Sequence, residues 1–74
     1  MSNDYSVLLG RITEKCGTQA NFALAMGLSE RSISLKLNNK VRWKDEEIAK
    51  AIDILSLSPE DIPPYFFNFK VHVK

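Results

Sequence analysis

Apolar residues return along this chain at helical spacing in four separate stretches, most of them bounded by residues that start or stop helices. Tyr5, Leu8, Ile12 and Cys16 fall near a 3.6-residue period, with Leu9 widening the stripe. That pattern predicts a first amphipathic helix, capped by Asn3 or Asp4 and ended by Gly17. Phe22, Ala23 and Met26 define a second helix, with Thr18 before it as a hydroxyl cap and Gly27 after it, where glycine takes left-handed backbone at little steric cost. Ser29 offers a third cap, and Ile33 and Leu37, four apart, share a face. Only Leu28 and Ser29 separate Gly27 from this third helix, so the pair must turn sharply, as in a helix-turn-helix. Ala23 is the small residue expected where the two come closest.

The polar loop Asn38-Asn39-Lys40-Val41-Arg42 follows, with asparagines that tolerate left-handed turns. Trp43 then precedes a fourth helix with Ile48, Ile52 and Leu55 inward, and is expected to staple onto Ile48. Lys44 is a poor cap, so Asp45 is the expected one, while Glu46 and Glu47 suit the helix dipole and need no further role. Ser58-Pro59-Glu60-Asp61 opens a short fifth helix, and Pro63-Pro64 is expected to end it. From Phe67 to Lys74 the apolar period changes from helical spacing to two, the signature of a strand with one buried face. The expected fold is all-α, five helices with a short C-terminal extended strand; residues 1–64 form the domain and 65–74 the tail.

A chain of 74 residues has room for one modest core. Its apolar runs are too short to cross a bilayer, and its N-terminus lacks a basic region followed by an apolar one, so a soluble, cytoplasmic protein is expected. The single cysteine, Cys16, cannot form an internal bridge and fits a small core residue in a reducing compartment. The net charge of +1 conceals a dipole. Residues 11–44 carry seven basic groups (Arg11, Lys15, Arg31, Lys36, Lys40, Arg42, Lys44) against Glu14 and Glu30, a local balance of +5, whereas residues 45–61 carry six acids against Lys50, a balance of −5. The positive part lies on the bent helical pair, the electrostatic footprint that a phosphate backbone selects.

The residues Thr18-Gln19, Phe22-Ala23, Gly27-Leu28-Ser29 and Ile33-Ser34 give the chain its resemblance to the phage Cro and lambda-repressor-like helix-turn-helix proteins, over about residues 5 to 62. Trp43 and the ending from Ile62 to Phe67 resemble small Cro-type or repressor proteins from phages of Gram-positive bacteria. The resemblance implies a five-helix DNA-binding domain in a bacterial host cell. One departure stands out: many relatives have an apolar residue in place of Lys36 and glutamate in place of Leu37.

A major groove about 12 Å wide admits one helix, and residues 29–38 are expected to enter it. With Ile33 and Leu37 turned inward, the base-reading set is Glu30, Arg31, Ser34, Leu35 and Asn38: a fork for guanine from Arg31, an acceptor for cytosine from Glu30, an apolar contact for thymine from Leu35. Gln19, in the family a phosphate contact, together with Lys36, Asn39, Lys40 and Arg42, forms the expected phosphate set. In the tail, Phe67, Phe69, Val71 and Val73 are expected to join two copies into a homodimer that spans two half-sites, as Cro relatives use a C-terminal strand. The expected function is a sequence-specific repressor of transcription whose partner is a double-stranded operator. The alternative is an antirepressor, a protein-interaction module that binds a partner phage repressor through its helix-turn-helix surface. Nothing in the sequence suggests a cofactor or small-molecule substrate. His72 stands alone without metal-ligand spacing, and neither paired carboxylates in a pocket pattern nor a glycine-rich loop suggests an enzyme.

Overall fold

The computed structural model describes residues 3 to 68, and all regular elements among them are helical. They are α1 (Ser6–Cys16), α2 (Gln19–Met26), α3 (Glu30–Leu37), α4 (Asp45–Ile54), a 3₁₀ turn (Pro59–Asp61) and α5 (Ile62–Phe66). Their boundaries follow the local chemistry. The Thr18 hydroxyl accepts from the Asn21 amide at 3.1 Å and the Ser29 hydroxyl from the Ser32 amide at 3.1 Å. Gly27 sits at φ 73°, ψ 26°, where the Leu28 amide reaches back to the Ala23 carbonyl at 3.0 Å and closes α2. At the start of α1 it is the Asp4 carboxylate, one residue ahead of the cap position, that accepts from the Ser6 amide at 2.9 Å.

One core holds these helices together. Leu8 and Ile12 of α1, Phe22, Ala23 and Met26 of α2, Ile33 and Leu37 of α3, Ile48 and Ala51 of α4, and Tyr5, Leu55 and Phe66 are all buried in it. Helix α2 is its hub, packing most extensively on α3 and also on α1 and α4. The Trp43 indole sits between two other rings, edge-on to Phe66 at a centroid distance of 5.2 Å and tilted against Phe22 at 6.5 Å. Its aromatic partners therefore come from α2 and α5.

One expectation about the chain's end needs correction. Pro63 and Pro64 do not end a helix that starts at Ser58: Pro59–Asp61 form a separate 3₁₀ turn with Ser58 as its cap, and the prolines lie in the first turn of α5, where a missing N–H leaves no bond unmade. Phe66, in the last turn of α5, is 1% exposed and belongs to the core. Phe69, Val71 and Val73 of the expected strand lie outside the described residues. At its near edge the Asp4 amide donates to the Asn68 carbonyl at 2.6 Å, so the start of the tail has a partner within its own chain.

Candidate interaction surface

Helices α2 and α3, with the loop that follows, hold ten of the residues expected to touch a nucleic acid, and the structure separates them into two groups. Glu30 and Arg31 stand exposed in the first turn of α3, Ser34 and Leu35 are half-buried one turn later, and Gln19 is exposed at the start of α2. Lys40 and Arg42 are exposed in the loop. These seven are exposed or half-buried on the bent pair and the loop beside it.

The remaining three are engaged elsewhere. Lys36 was expected at a phosphate; it is 4% exposed, and its ammonium lies 3.0 Å from the Glu47 carboxylate and 3.3 Å from the Arg42 carbonyl. This cation of α3 is thus spent inside the fold, bracing the loop 38–44 against α4, while Arg31 stays exposed. Asn39 was expected to hold the neighbouring strand; its side-chain amide instead clasps the N-terminal segment, accepting from the Asn3 amide and donating to the Asn3 carbonyl, both at 2.9 Å. Asn39 takes a left-handed φ of 62° to do so. Asn38 folds its amide back onto the Ser34 carbonyl at 2.7 Å, at the C-terminal end of α3, which occupies a donor expected at a base.

Glu47 likewise has a role that the dipole argument missed. Burial works against its charge, but the Lys44 backbone amide, which donates to it at 2.9 Å, and the Lys36 ammonium outweigh burial and hold its carboxyl below the usual glutamate range. It also supplies the returning half of a capping box for α4, so the cap position is Lys44 with a borrowed carboxylate, where Asp45 was expected to serve. Arg11, counted in the positive half, donates to the Leu55 carbonyl at 3.0 Å and the Ser56 carbonyl at 3.2 Å, clamping the end of α4, and pairs with Glu14 at 2.9 Å. Two of the seven cations behind the expected footprint are therefore consumed internally.

Sequence reasoning also passed over what α2 leaves outside. Its exposed positions are Gln19, Ala20, Asn21, Leu24 and Ala25, and Leu24 is 79% exposed, more than any other large apolar side chain among the described residues. The signal was available: residues 16–29 contain no charged side chain. Phe67, the one described member of the expected dimerisation set, is 49% exposed. Among the described residues no group of histidine, cysteine and carboxylate side chains could hold a metal ion, and no helix is long and apolar enough to cross a membrane.

Residues 1–69 match the family described as "Protein of unknown function (DUF739)", and the chain belongs to that family. It is similar to a solution structure of the modulator of repression (MOR) of the temperate bacteriophage TP901-1 from Lactococcus lactis, at 74% identity and a TM-score of 0.82 over 97% of both chains. No curated protein matches it.

Proposed function

From this likeness and the surface just described we infer that the chain regulates phage repression as an antirepressor, docking on a partner phage repressor through the outward side of α2 and α3. The observation that carries the reading is the burial of Lys36 on Glu47, because a DNA-reading helix uses its cations on phosphates and this one turns its only lysine into the fold. The likeness to a protein that modulates repression supports the same direction. Exposed Glu30 beside Arg31 suits a protein partner, where the carboxylate meets a cation and the guanidinium forks onto a carboxylate; facing phosphates, Glu30 would repel. Half-buried Leu35 adds apolar contact. An antirepressor of this kind works by occupancy: the repressor surface it covers is unavailable to the operator, with no chemistry, enzymatic step or cofactor involved.

The test is a gel shift of the phage TP901-1 repressor on its operator fragment, with the chain added in steps. The expected result is release of free DNA as the chain is added, and no shifted band for the chain alone at low salt. A second reading keeps support from Arg31, Lys40 and Arg42, which remain exposed and cationic: a Cro-type regulator, homodimeric through its tail, that reads an operator directly. It predicts that the chain alone shifts the operator, with log affinity falling against log salt by about 0.9 per phosphate neutralised. That outcome, with the repressor–operator complex left intact, would overturn the antirepressor reading.

A further inference from the structure

The outer face of α2 is the part of this surface that neither the base-reading nor the phosphate set explains. Its apolar positions Ala20 and Leu24 are one turn apart, and the half-buried Leu28 continues the row into the turn that leads to Glu30. Ala25 lies beside Leu24. A leucine projecting between alanines is shaped to enter a pocket while the partner's backbone comes close. We propose that this face, with Leu24 as its anchor, is the apolar centre of the contact with the repressor, seated against an uncharged helical face or groove of that protein. The proposal rests on the antirepressor reading and adds to it the side chain on which affinity depends.

Charge decides against a nucleic acid as the occupant. No cation lies within residues 16–29, and of the two amides on the outer face, Asn21 already donates to the Cys16 carbonyl at 2.9 Å. On the face itself a phosphate would find Gln19 as the remaining side-chain donor, the cations Arg31 and Lys50 lying only at its rim. Eight helical residues extend about 12 Å, and the five exposed ones fall far short of the roughly 20 residues that each side of a stable interface supplies. A contact centred on α2 must therefore continue over Leu28 and Leu35 onto α3. The rim completes the fit: Arg31 follows the turn, and Lys50 holds its ammonium 3.7 Å from where a side chain at Gly27 would begin, so the partner's apolar site is bordered by carboxylates.

Titration calorimetry of the full chain against the phage TP901-1 repressor tests this with three proteins: wild type, Leu24→Ala and Leu24→Glu. We expect Leu24→Ala to weaken the complex about tenfold or more and Leu24→Glu about a hundredfold or more, as for a buried apolar anchor, while both variants melt within a few degrees of wild type because the side chain is outside the core. Binding by Leu24→Glu within threefold of wild type overturns the assignment of the anchor and leaves the antirepressor reading standing. A wild-type chain with no measurable binding overturns both. Sedimentation supplies the remaining outcome: a wild-type dimer that Leu24→Glu converts to monomer, with repressor binding unchanged, reassigns the face to a second copy and overturns the proposal.

Discussion

Helices α2 and α4 each leave five positions exposed, yet the two sets have opposite character. Helix α4 shows Asp45, Glu46, Ala49, Lys50 and Asp53, four of them charged; α2 shows Gln19, Ala20, Asn21, Leu24 and Ala25, none charged. A charged outer face marks a helix whose work ends with its buried side. An apolar helix that is buried on one side only, at the hub of the core, has a second side suited to being covered. The difference is the ground for proposing the interaction surface on α2 and the turn into α3, and for reading α4 as scaffold, with Glu47 reaching across to hold Lys36.

That contrast can be broken or sharpened by substitution. The largest effect is expected on the inner side of α2: Phe22→Ala removes a fully buried ring that meets Trp43 and should destabilise the fold by about 4 kcal/mol, enough to unfold much of a domain this small, as measured by urea titration. Next comes the brace between the halves. Glu47→Ala strands the buried Lys36 ammonium and should cost about 3 kcal/mol, whereas the double variant Lys36→Met with Glu47→Leu should recover most of that loss. A double variant as unstable as the single would show that the pair contributes more than mutual neutralisation. Acid should weaken the same contact. Because folding lowers the Glu47 carboxyl below its ordinary value of 4.5, its contribution is present above that value and is lost as pH falls below it towards the folded value. Thermal melts should show this acid-side loss diminished in the double variant. The smallest effect belongs to the outer side of α2, where Leu24→Ala should change stability by less than about 0.5 kcal/mol. A larger loss would mean that Leu24 supports the fold, and the contrast with α4 would fail.

Much of the local structure was legible in the residues themselves. Thr18, Gly27 and Ser29 bound α2 and α3 as their cap chemistry requires, and Phe22, Ala23, Met26, Ile33 and Leu37 turn inward as their spacing requires. Lys36 and Asn39 could not be placed from the residues alone, because the partner of each comes from elsewhere in the chain. Lys36 reads as a surface cation until α4 supplies Glu47, and Asn39 reads as a loop amide until the segment around Asn3 arrives beside it, 36 residues away. The prolines of α5 show the same limit in milder form. Proline marks a helix boundary without saying which side of it the helix lies on, and the buried Phe66 places α5 after that boundary.

Backbone propensity and the spacing of apolar side chains act over a few residues, so the helices, their caps and the inner face of each were determined by the amino-acid order alone. Which cations remain available to a partner was not. A lysine or arginine is equally at home in water and against a distant carboxylate or carbonyl, and only the tertiary arrangement, which brings the Leu55 and Ser56 carbonyls to Arg11 and the Glu47 carboxylate to Lys36, decided that these two would be spent within the fold while Arg31, Lys40 and Arg42 stayed outside.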